Sequence, residues 1–353
     1  MGQENYRIKL ATESALLYSF LQSLRERCGN QDYEMKIIGS TLAAIVLILL
    51  TACSADDSSD SSSVDSAAAK PRIALVMKSL ANEFFVNMAN GAQAHQAEHS
   101  EQYELLVNGI RNESDLAQQV SLVDQMIGSS VQAIVIAPAD SRALVPALAR
   151  AVAAGIVVIN IDNRLEPEVL AEYDLQIPFI GPSNREGAKL VGDYVLQGLN
   201  SDSEVAVLEG ISSAFNSIQR RTGFEQAVAQ ANMQVVTLQS GDWDQTKAAQ
   251  VTSAILSQYP GLDVILAAND NMALGAASAV ALAALDHKVT IAGFDNISAI
   301  HPLIESGAVA ATVDQFGDQL AVFGIEYALE IVASGVVLED KETPLELITA
   351  ASL

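Results

Sequence analysis

The sequence predicts an α/β fold with two doubly wound lobes, each built on a parallel β-sheet. Eight largely apolar runs of five or six residues alternate with longer segments whose apolar residues recur every three or four positions. Continuous apolar runs are typical of strands buried on both faces, and alternation with helices is typical of parallel sheets. The alternating pattern occurs twice along the 353 residues, with a break near residues 180–183.

The first set of elements spans about residues 72–181 and the second about 184–313. A helical segment such as 115–127 carries apolar residues at spacings of three and four. Ligands of such sheets bind beyond the carboxyl ends of the strands, so two lobes predict a cleft with the ligand between them. The predicted strands are 73–77, 103–107, 133–137, 156–161, 204–209, 233–238, 263–267 and 288–293.

The residues before this body are predicted to direct and anchor the protein. Lys36 precedes an uncharged run at 37–50, which is short for a membrane span of about 20 residues but suits a signal-peptide core. The run ends in Leu-Thr-Ala-Cys, which resembles a bacterial lipobox, so residues 35–52 are predicted to be a signal peptide and Cys53 to be lipidated. A plain transmembrane anchor is the alternative.

The segments on either side of this signal have simpler interpretations. Residues 1–34 mix charges in a way that is unusual for a leader, so Met35 is predicted to be the true start. Residues 53–70 are rich in serine and aspartate after the cysteine, which predicts a flexible tether. The expected location is the periplasm or cell surface, with the protein held at the membrane by its N-terminal lipid.

The charge balance and the short motifs exclude several classes of protein. The chain has 19 basic and 43 acidic residues, and a net charge of −24 should repel nucleic acid. No dinucleotide or P-loop glycine motif and no nucleophile–base set occurs, so we expect neither an enzyme nor a cofactor. His95 and His99 match a short zinc-protease pattern, but exposed histidines are the favoured interpretation, and no metal is expected.

Polar and aromatic side chains follow nearly every predicted strand. Carboxylates and amides bind hydroxyl groups, and flat aromatic faces cover the C–H faces of a sugar ring. The alternative for each polar residue alone is a helix N-cap, which is the favoured interpretation of Asp270. The candidate ligand-binding residues are Lys78, Asn82, Phe84, Phe85, Asp162, Asn163, Asn216, Arg220, Trp243, Asn269, Asp295 and Gln315.

An ordered set of short strings gives the chain a specific resemblance. The strings are NEFF (82–85), IDNR (161–164), RRTGF (220–224), ANDNMALGA (268–276), GFDN (293–296) and ATVDQFGDQ (311–319). On these strings the chain resembles the ribose-type periplasmic binding proteins of bacterial sugar ABC transporters. The resemblance implies the type I periplasmic binding protein fold, with two lobes joined by three hinge strands. The expected lobes are residues 71–182 plus 316–345 and residues 183–315 plus 346–353.

The resemblance also implies roles for individual residues. Asn82 and Asp162 match residues that bond sugar hydroxyls, and Phe84 and Phe85 match aromatics that stack on the ring. Trp243 falls at an aromatic position of the second lobe. Polar ligand-binding positions of the family match Asn269, Asp295 and Gln315.

Three departures from the ribose binders change the expected ligand. Asn163 and Ile218 stand where those proteins have arginines, and Lys78 stands where they have a serine. Because several fixed donors are lost with the arginines, a different pentose, a hexose, a polyol or an inositol is expected rather than ribose. Related polyol and inositol binders often carry an asparagine in the loop of Asn216.

The expected function is capture of a sugar-like solute and its delivery to an ABC transporter permease by a monomeric binding protein. A binding protein that reports to a membrane sensor or chemoreceptor is the alternative with the same fold. A regulator of the lactose-repressor type would need a basic helix-turn-helix before the core, where this chain has a predicted signal peptide and tether.

Overall fold

Two six-stranded sheets form the centres of two lobes. The structure is a computed structural model, and it describes residues 69–353. The predicted signal peptide, the predicted lipidation site Cys53 and most of the predicted tether lie outside the described residues.

The first lobe contains a fully parallel sheet in the order β11-β5-β4-β3-β1-β2. Its strands are β1 Arg72–Ser79, β2 Glu104–Ile110, β3 Ala133–Ile136, β4 Val157–Ile161, β5 Phe179–Gly181 and β11 Lys341–Glu342. Its helices are α1 Glu83–Glu98, α2 Leu116–Gly128, α3 Val145–Ala153, α4 Pro167–Glu172 and α10 Gly317–Ser334.

The second lobe repeats this arrangement in the order β12-β10-β9-β8-β6-β7, and β12 is antiparallel to β10. Its strands are β6 Glu204–Glu209, β7 Gln234–Ser240, β8 Val264–Ala267, β9 Thr290–Ala292, β10 Ala311–Asp314 and β12 Glu346–Thr349. Its helices are α5 Asn184–Leu196, α6 Phe215–Gln230, α7 Gln245–Gln258, α8 Asp270–Ala283 and α9 His301–Glu305, and a 3₁₀ turn spans Ser298–Ile300.

The predicted fold class is confirmed, and all eight predicted strands are present within a few residues of their expected bounds. The central strands β3 and β8 are buried along their lengths, and β6 is buried after its first residue, because helices cover both faces of each sheet. The chain crosses between the sheets three times, after β5, after β10 and after β11. These crossings bring the carboxyl ends of both sets of parallel strands to one cleft.

No helix within residues 69–353 is both long enough and apolar enough to cross a bilayer. The same described part of the chain contains no group of three or more His, Cys, Asp or Glu side chains placed to hold a metal ion. His95 and His99 instead stack on one face of α1 with ring centroids 4.1 Å apart, and His95 Nδ1 lies 2.9 Å from the Tyr103 hydroxyl.

Candidate ligand-binding site

A small cavity lies where the strand ends of the two lobes meet. Its free space is about 10 Å³ in this arrangement of the lobes, roughly what one water molecule needs, so a larger ligand must displace side chains or part the lobes. Eleven of the twelve predicted residues line it, together with Glu113, which was not predicted. The lining residues are Lys78, Asn82, Phe84, Phe85, Glu113, Asp162, Asn216, Arg220, Trp243, Asn269, Asp295 and Gln315.

The first lobe supplies one wall of this cavity from the ends of β1 and β4 and the start of α1. Asn82 caps α1, because its side-chain Oδ1 accepts a hydrogen bond of 3.0 Å from the Phe84 amide. The two phenylalanines follow in the first turn and pack edge to face, with ring centroids 5.2 Å apart. Asp162 follows β4 with φ at 62°, a left-handed backbone conformation that costs a non-glycine residue energy and is common at functional sites.

The second lobe supplies the opposite wall from residues that follow β7, β8 and β9. Trp243 and Asp295 have φ angles of 65° and 118°, so strained backbone recurs on this side of the cavity. Asn269 caps α8 by accepting a hydrogen bond of 2.9 Å from the Met272 amide. Arg220 lies on α6, with its guanidinium carbon 3.7 Å from the centre of the Phe294 ring.

Lys78 is buried among carboxylates on the first-lobe side. Its side chain is 2% exposed, and Nζ lies 2.9 Å from Asp162 Oδ2 and 3.8 Å from Glu113 Oε2. Burial raises the pKa of Glu113, and the neighbouring Lys78 offsets only part of this effect. The amide of Asn82 also donates to Glu113, at 3.3 Å. Glu113 is therefore a buried carboxyl group held in place by two other cavity residues.

Arg220 and Asp295 form the corresponding ion pair of the second lobe. Arg220 Nη1 lies 3.3 Å from Asp295 Oδ1 and donates at 2.8 Å to the Ala268 carbonyl, while Nε donates to Asn184. Gln315 Nε2 donates to the same Asp295 oxygen at 2.7 Å. Burial raises the pKa of Asp295 to about 7, although Arg220 acts in the opposite direction.

Two buried amide oxygens of the cavity residues, Asn216 Oδ1 and Gln315 Oε1, have no hydrogen-bond donor among the described residues. Asp162 Oδ2 has the Lys78 ammonium at 2.9 Å as its ion-pair partner and no other donor among those residues. Buried acceptors without donors are rare and costly, so their concentration around one cavity indicates a ligand that donates hydrogen bonds, as hydroxyl groups do.

A wider cleft of about 820 Å³ adjoins this cavity and opens to solvent. It shares Asn82, Glu113 and Trp243 with the cavity, so these three side chains lie at the boundary between the two spaces. Residues of both lobes line the cleft, which connects the cavity to solvent.

The structure places Asn163 outside the cavity lining. Its side chain points away from Asp162: Nδ2 donates to the Pro138 carbonyl at 3.0 Å, and Oδ1 accepts from the Asn216 amide at 3.2 Å. The left-handed conformation of Asp162 turns the chain between these neighbours, so they face different surroundings. Asn163 therefore joins the two lobes and does not line the cavity.

The expectation that Asp270 caps a helix is wrong, because Asn269 occupies the cap position of α8. Asp270 is buried in the first turn, where Oδ1 accepts from the Thr312 hydroxyl at 2.7 Å and Oδ2 from the Ile297 amide at 3.0 Å. Burial raises the pKa of Asp270 well above its ordinary value. The residue holds the segments after β9 and on β10 in place beside the cavity.

Glu113 was missed because β2 extends to Ile110, three residues beyond the apolar run that predicted this strand. The other residues were predicted because each is a polar or aromatic residue that follows a strand, and Glu113 also follows a strand of the parallel sheet. The true end of β2 would have placed it beside Asn82 and Asp162.

Comparison with known proteins identifies the family. A protein-family model described as a periplasmic binding protein domain matches residues 73–335. The chain belongs to the periplasmic binding protein family. The predicted resemblance to the ribose-type members is confirmed, because a D-ribose/D-allose-binding protein of Pseudomonas aeruginosa is 50% identical over 313 residues. That match covers 88% of this chain and 97% of the relative.

Solved structures show the same fold. A solute-binding protein of an ABC transporter from Burkholderia multivorans is 50% identical, with a TM-score of 0.78 and coverage of 80% of this chain and all of that one. A periplasmic solute-binding protein from Actinobacillus succinogenes with bound D-allose is 33% identical, with a TM-score of 0.75 and coverage of 80% and 98%. This periplasmic binding protein thus resembles proteins that bind solutes.

Proposed function

We propose that this periplasmic binding protein captures a monosaccharide of the ribose or allose type by closing its two lobes, and delivers it unchanged to an ABC importer. The observation that carries the proposal is the pair of buried amide oxygens without donors on Asn216 and Gln315, which line the same cavity as the carboxylate of Asp162. A sugar offers several hydroxyl donors within the span of one ring. Phe84, Phe85 and Trp243 add the flat apolar faces that cover its C–H groups.

The charges of the cavity support a neutral, multiply hydroxylated ligand. Lys78 and Arg220 each lie within 4 Å of a carboxylate, so neither cation is free to neutralise an anionic ligand. Three acidic side chains, Glu113, Asp162 and Asp295, line the same cavity as these two cations, so the cavity has no excess of basic groups to attract a phosphate or carboxylate group of a ligand. Hydroxyl groups donate to carboxylates and accept from amides and cations, and they carry no charge that needs a partner.

The comparisons favour aldoses as the first ligands to test. The relative from Pseudomonas aeruginosa is named for D-ribose and D-allose, and the structure from Actinobacillus succinogenes holds D-allose. A myo-inositol-binding protein of Caulobacter is more distant, at 27% identity with a TM-score of 0.73. We therefore rank D-allose and D-ribose ahead of inositols, and the departure from ribose binders at the cavity residue Lys78 favours D-allose.

Lobe closure is the proposed mechanism of capture. The two lobes would move as rigid bodies, the first made of residues 71–182 plus 316–345 and the second of residues 183–315 plus 346–353. A ligand that contacts both lobes would select the closed arrangement. Lys78, Asn82 and Asp162 would hold the sugar from the first lobe, and Asn216, Trp243 and Asn269 from the second. The protein would act as a monomer in contact with its permease.

The family indicates a periplasmic location, and we propose that a lipid on Cys53 keeps the protein at the membrane. The proposal rests on the apolar run at 37–50 and on the small residues that precede the cysteine. Membrane fractions from the native host should contain the protein, and a Cys53→Ser variant should move to the soluble periplasmic fraction. Unchanged membrane association of that variant would contradict lipidation at Cys53.

Isothermal titration calorimetry with D-allose, D-ribose and myo-inositol tests the ligand class. We expect at least one of the two aldoses to bind, and to raise the melting temperature, since a ligand of the native state stabilises it. Binding of myo-inositol alone would move the ligand to the inositol class. Absence of heat and of any melting shift with all three would refute the monosaccharide proposal.

A further inference from the structure

Helix α6 and the 3₁₀ turn of the second lobe begin without a capping side chain of their own. Helix α6 starts at Phe215, and the residue at its N-cap position is Ala214, whose backbone angles of −75° and 135° suit a cap. Serine, threonine, aspartate or asparagine at this position accepts a hydrogen bond from the first turn, but a methyl group cannot. The 3₁₀ turn that starts at Ser298 follows Ile297, which cannot act as a cap either.

Side chains of the first lobe accept these hydrogen bonds instead. The backbone N–H of Phe215 donates to Ser141 Oγ at 3.1 Å, and the backbone N–H of Asn216 donates to Asn163 Oδ1 at 3.2 Å. The Ser141 hydroxyl in turn lies 3.4 Å from the same Asn163 oxygen. Ser141 and Asn163 are 1% and 0% exposed, so this contact is fully buried between the lobes.

Glu83 of the first lobe accepts a hydrogen bond from the start of the 3₁₀ turn. It lies in the first turn of α1, and its Oε1 accepts a hydrogen bond of 2.8 Å from the Ser298 amide. Burial raises the pKa of Glu83, but hydrogen bonds from Ser298 and Ala299 outweigh that effect and lower it overall. The charged carboxylate is therefore the form that makes this contact.

The three other long helices of the second lobe are capped within the lobe. Ser183 caps α5, Asp244 caps α7 and Asn269 caps α8, each through its own side chain. Opening of the cleft leaves those three caps intact. Only the caps supplied by the first lobe separate from their helices when the lobes part.

We propose that Ser141, Asn163 and Glu83 set the ligand affinity without touching the ligand, because they cap second-lobe helices only when the lobes are closed. They bias the open–closed equilibrium toward closure, and every ligand benefits equally from that bias. Asn163 thus has a role distinct from that of the cavity residue Asp162 beside it. The expected change in ligand affinity rests on the proposed function, whereas the expected change in lobe closure of the ligand-free protein does not.

The expected size follows from measured caps. Loss of one cap costs about 1 kcal/mol, which is roughly a fivefold change in an equilibrium constant at 1.4 kcal/mol per tenfold. Ser141→Ala and Asn163→Ala should each lower the closed-to-open ratio by roughly fivefold. If the ligand-free protein is mostly open, the dissociation constant rises by the same factor. If the ligand-free protein is mostly closed, the change appears instead as a larger open fraction of the ligand-free protein.

Trp243 is the single tryptophan of the chain and lines the cavity, so its fluorescence reports closure without a label. Acrylamide quenching of the ligand-free full chain and calorimetry with D-allose and D-ribose are measured side by side for wild type, Ser141→Ala and Asn163→Ala. Asp115→Ala is the matched control, since Asp115 caps α2 within the first lobe by accepting from the Gln118 amide at 3.1 Å. We expect stronger quenching or weaker affinity in the two test variants, and neither change in the control.

Ala214→Ser provides the decisive second variant. A serine there supplies the cap of α6 from its own lobe, so Asn163→Ala should change quenching and affinity less in the Ala214→Ser background than in wild type. Unchanged quenching and unchanged affinity in both test variants would overturn the proposal, as would an equal effect of Asp115→Ala. If neither sugar binds the wild type, the proposed function fails, while the quenching comparison still decides whether the caps control closure.

Discussion

Replacing Asp162 by alanine is expected to weaken sugar binding more than any single change outside the cavity. The carboxylate is 2% exposed, and its Oδ2 lies 2.9 Å from the buried Lys78 ammonium, with no further hydrogen-bond donor among the described residues. Hydrogen bonds to a charged group contribute about 1.5–3 kcal/mol, and removal of the carboxylate leaves a buried ammonium with Glu113 as its remaining partner. We expect a loss of about 2–3 kcal/mol, which is roughly a 30- to 140-fold increase in the dissociation constant.

Calorimetric titration with the sugar that binds the wild type measures this loss, and thermal denaturation checks that the variant folds. Asp124→Ala is a matched control, because Asp124 forms an exposed ion pair with Arg150 at 2.7 Å, far from the strand ends, and such pairs contribute little. Asp162→Asn keeps the shape and one acceptor, so its loss should be intermediate. Wild-type affinity in Asp162→Ala would refute the placement of the ligand between Lys78 and the second lobe.

Three further changes test the electrostatics and the shape of the cavity. Burial raises the pKa of Asp295 from its ordinary 3.8 to about 7, so the folded protein holds this proton more tightly than the unfolded chain does. The stability gained from the bound proton is present below about pH 4 and is lost as the pH rises to 7. Urea denaturation should show a free energy of unfolding that falls over this range, with a smaller fall in Asp295→Asn. Lys78→Met leaves two facing carboxylates without their cation, and we expect at least tenfold weaker binding by calorimetry, with an unchanged affinity counting against a role for the ammonium. In Gly210→Ala the added Cβ would meet the Trp243 ring at 2.1 Å, so the ring must move into the cavity, and loss of sugar binding with about 1–3 kcal/mol lower stability is expected by titration and denaturation.

The fold could be predicted from sequence because its signal is repeated many times. Each buried strand is a run of apolar residues, each run is followed by a helical period, and the set occurs twice, so an error in one element would leave the class unchanged. The short strands β5, β11 and β12 have two to four residues, and their position depends on pairing between distant segments. Local pattern carries no such information, and the hinge was expected only from the family resemblance.

The site illustrates how two interpretations of one residue can both hold. Asn82 and Asn269 were candidates for ligand contact, with a helix cap as the alternative, and the structure shows both as caps that also line the cavity. A cap uses Oδ1 and leaves the amide group free to point elsewhere, toward Glu113 from Asn82 and toward the Trp243 carbonyl from Asn269. In a doubly wound fold the helix starts and the ligand share the strand ends, so the two roles coincide.

Side-chain direction was the information that the sequence lacked. Asp162 and Asn163 are adjacent after β4, and only the left-handed backbone of the first one separates their surroundings. Glu113 was hidden because the apolar run ends before β2 does. Both errors concern at most three residues of backbone path, which sets where a side chain points but leaves no trace in the apolar pattern.

The exchange of an arginine of the ribose binders for Asn163 changes where binding free energy originates. The resemblance implies that an arginine at this position donates to the ligand, whereas Asn163 accepts from the opposite lobe and lies outside the cavity. Asn216 Oδ1 and Gln315 Oε1 are buried acceptors without a donor among the described residues, and Asp162 has Lys78 as its partner. Selectivity must then come from the positions of ligand hydroxyl donors, because closure contacts made by Ser141 and Asn163 favour every ligand alike. Substitutions in the cavity should therefore change the ranking of sugars, and substitutions at these lobe contacts should shift all affinities by one common factor.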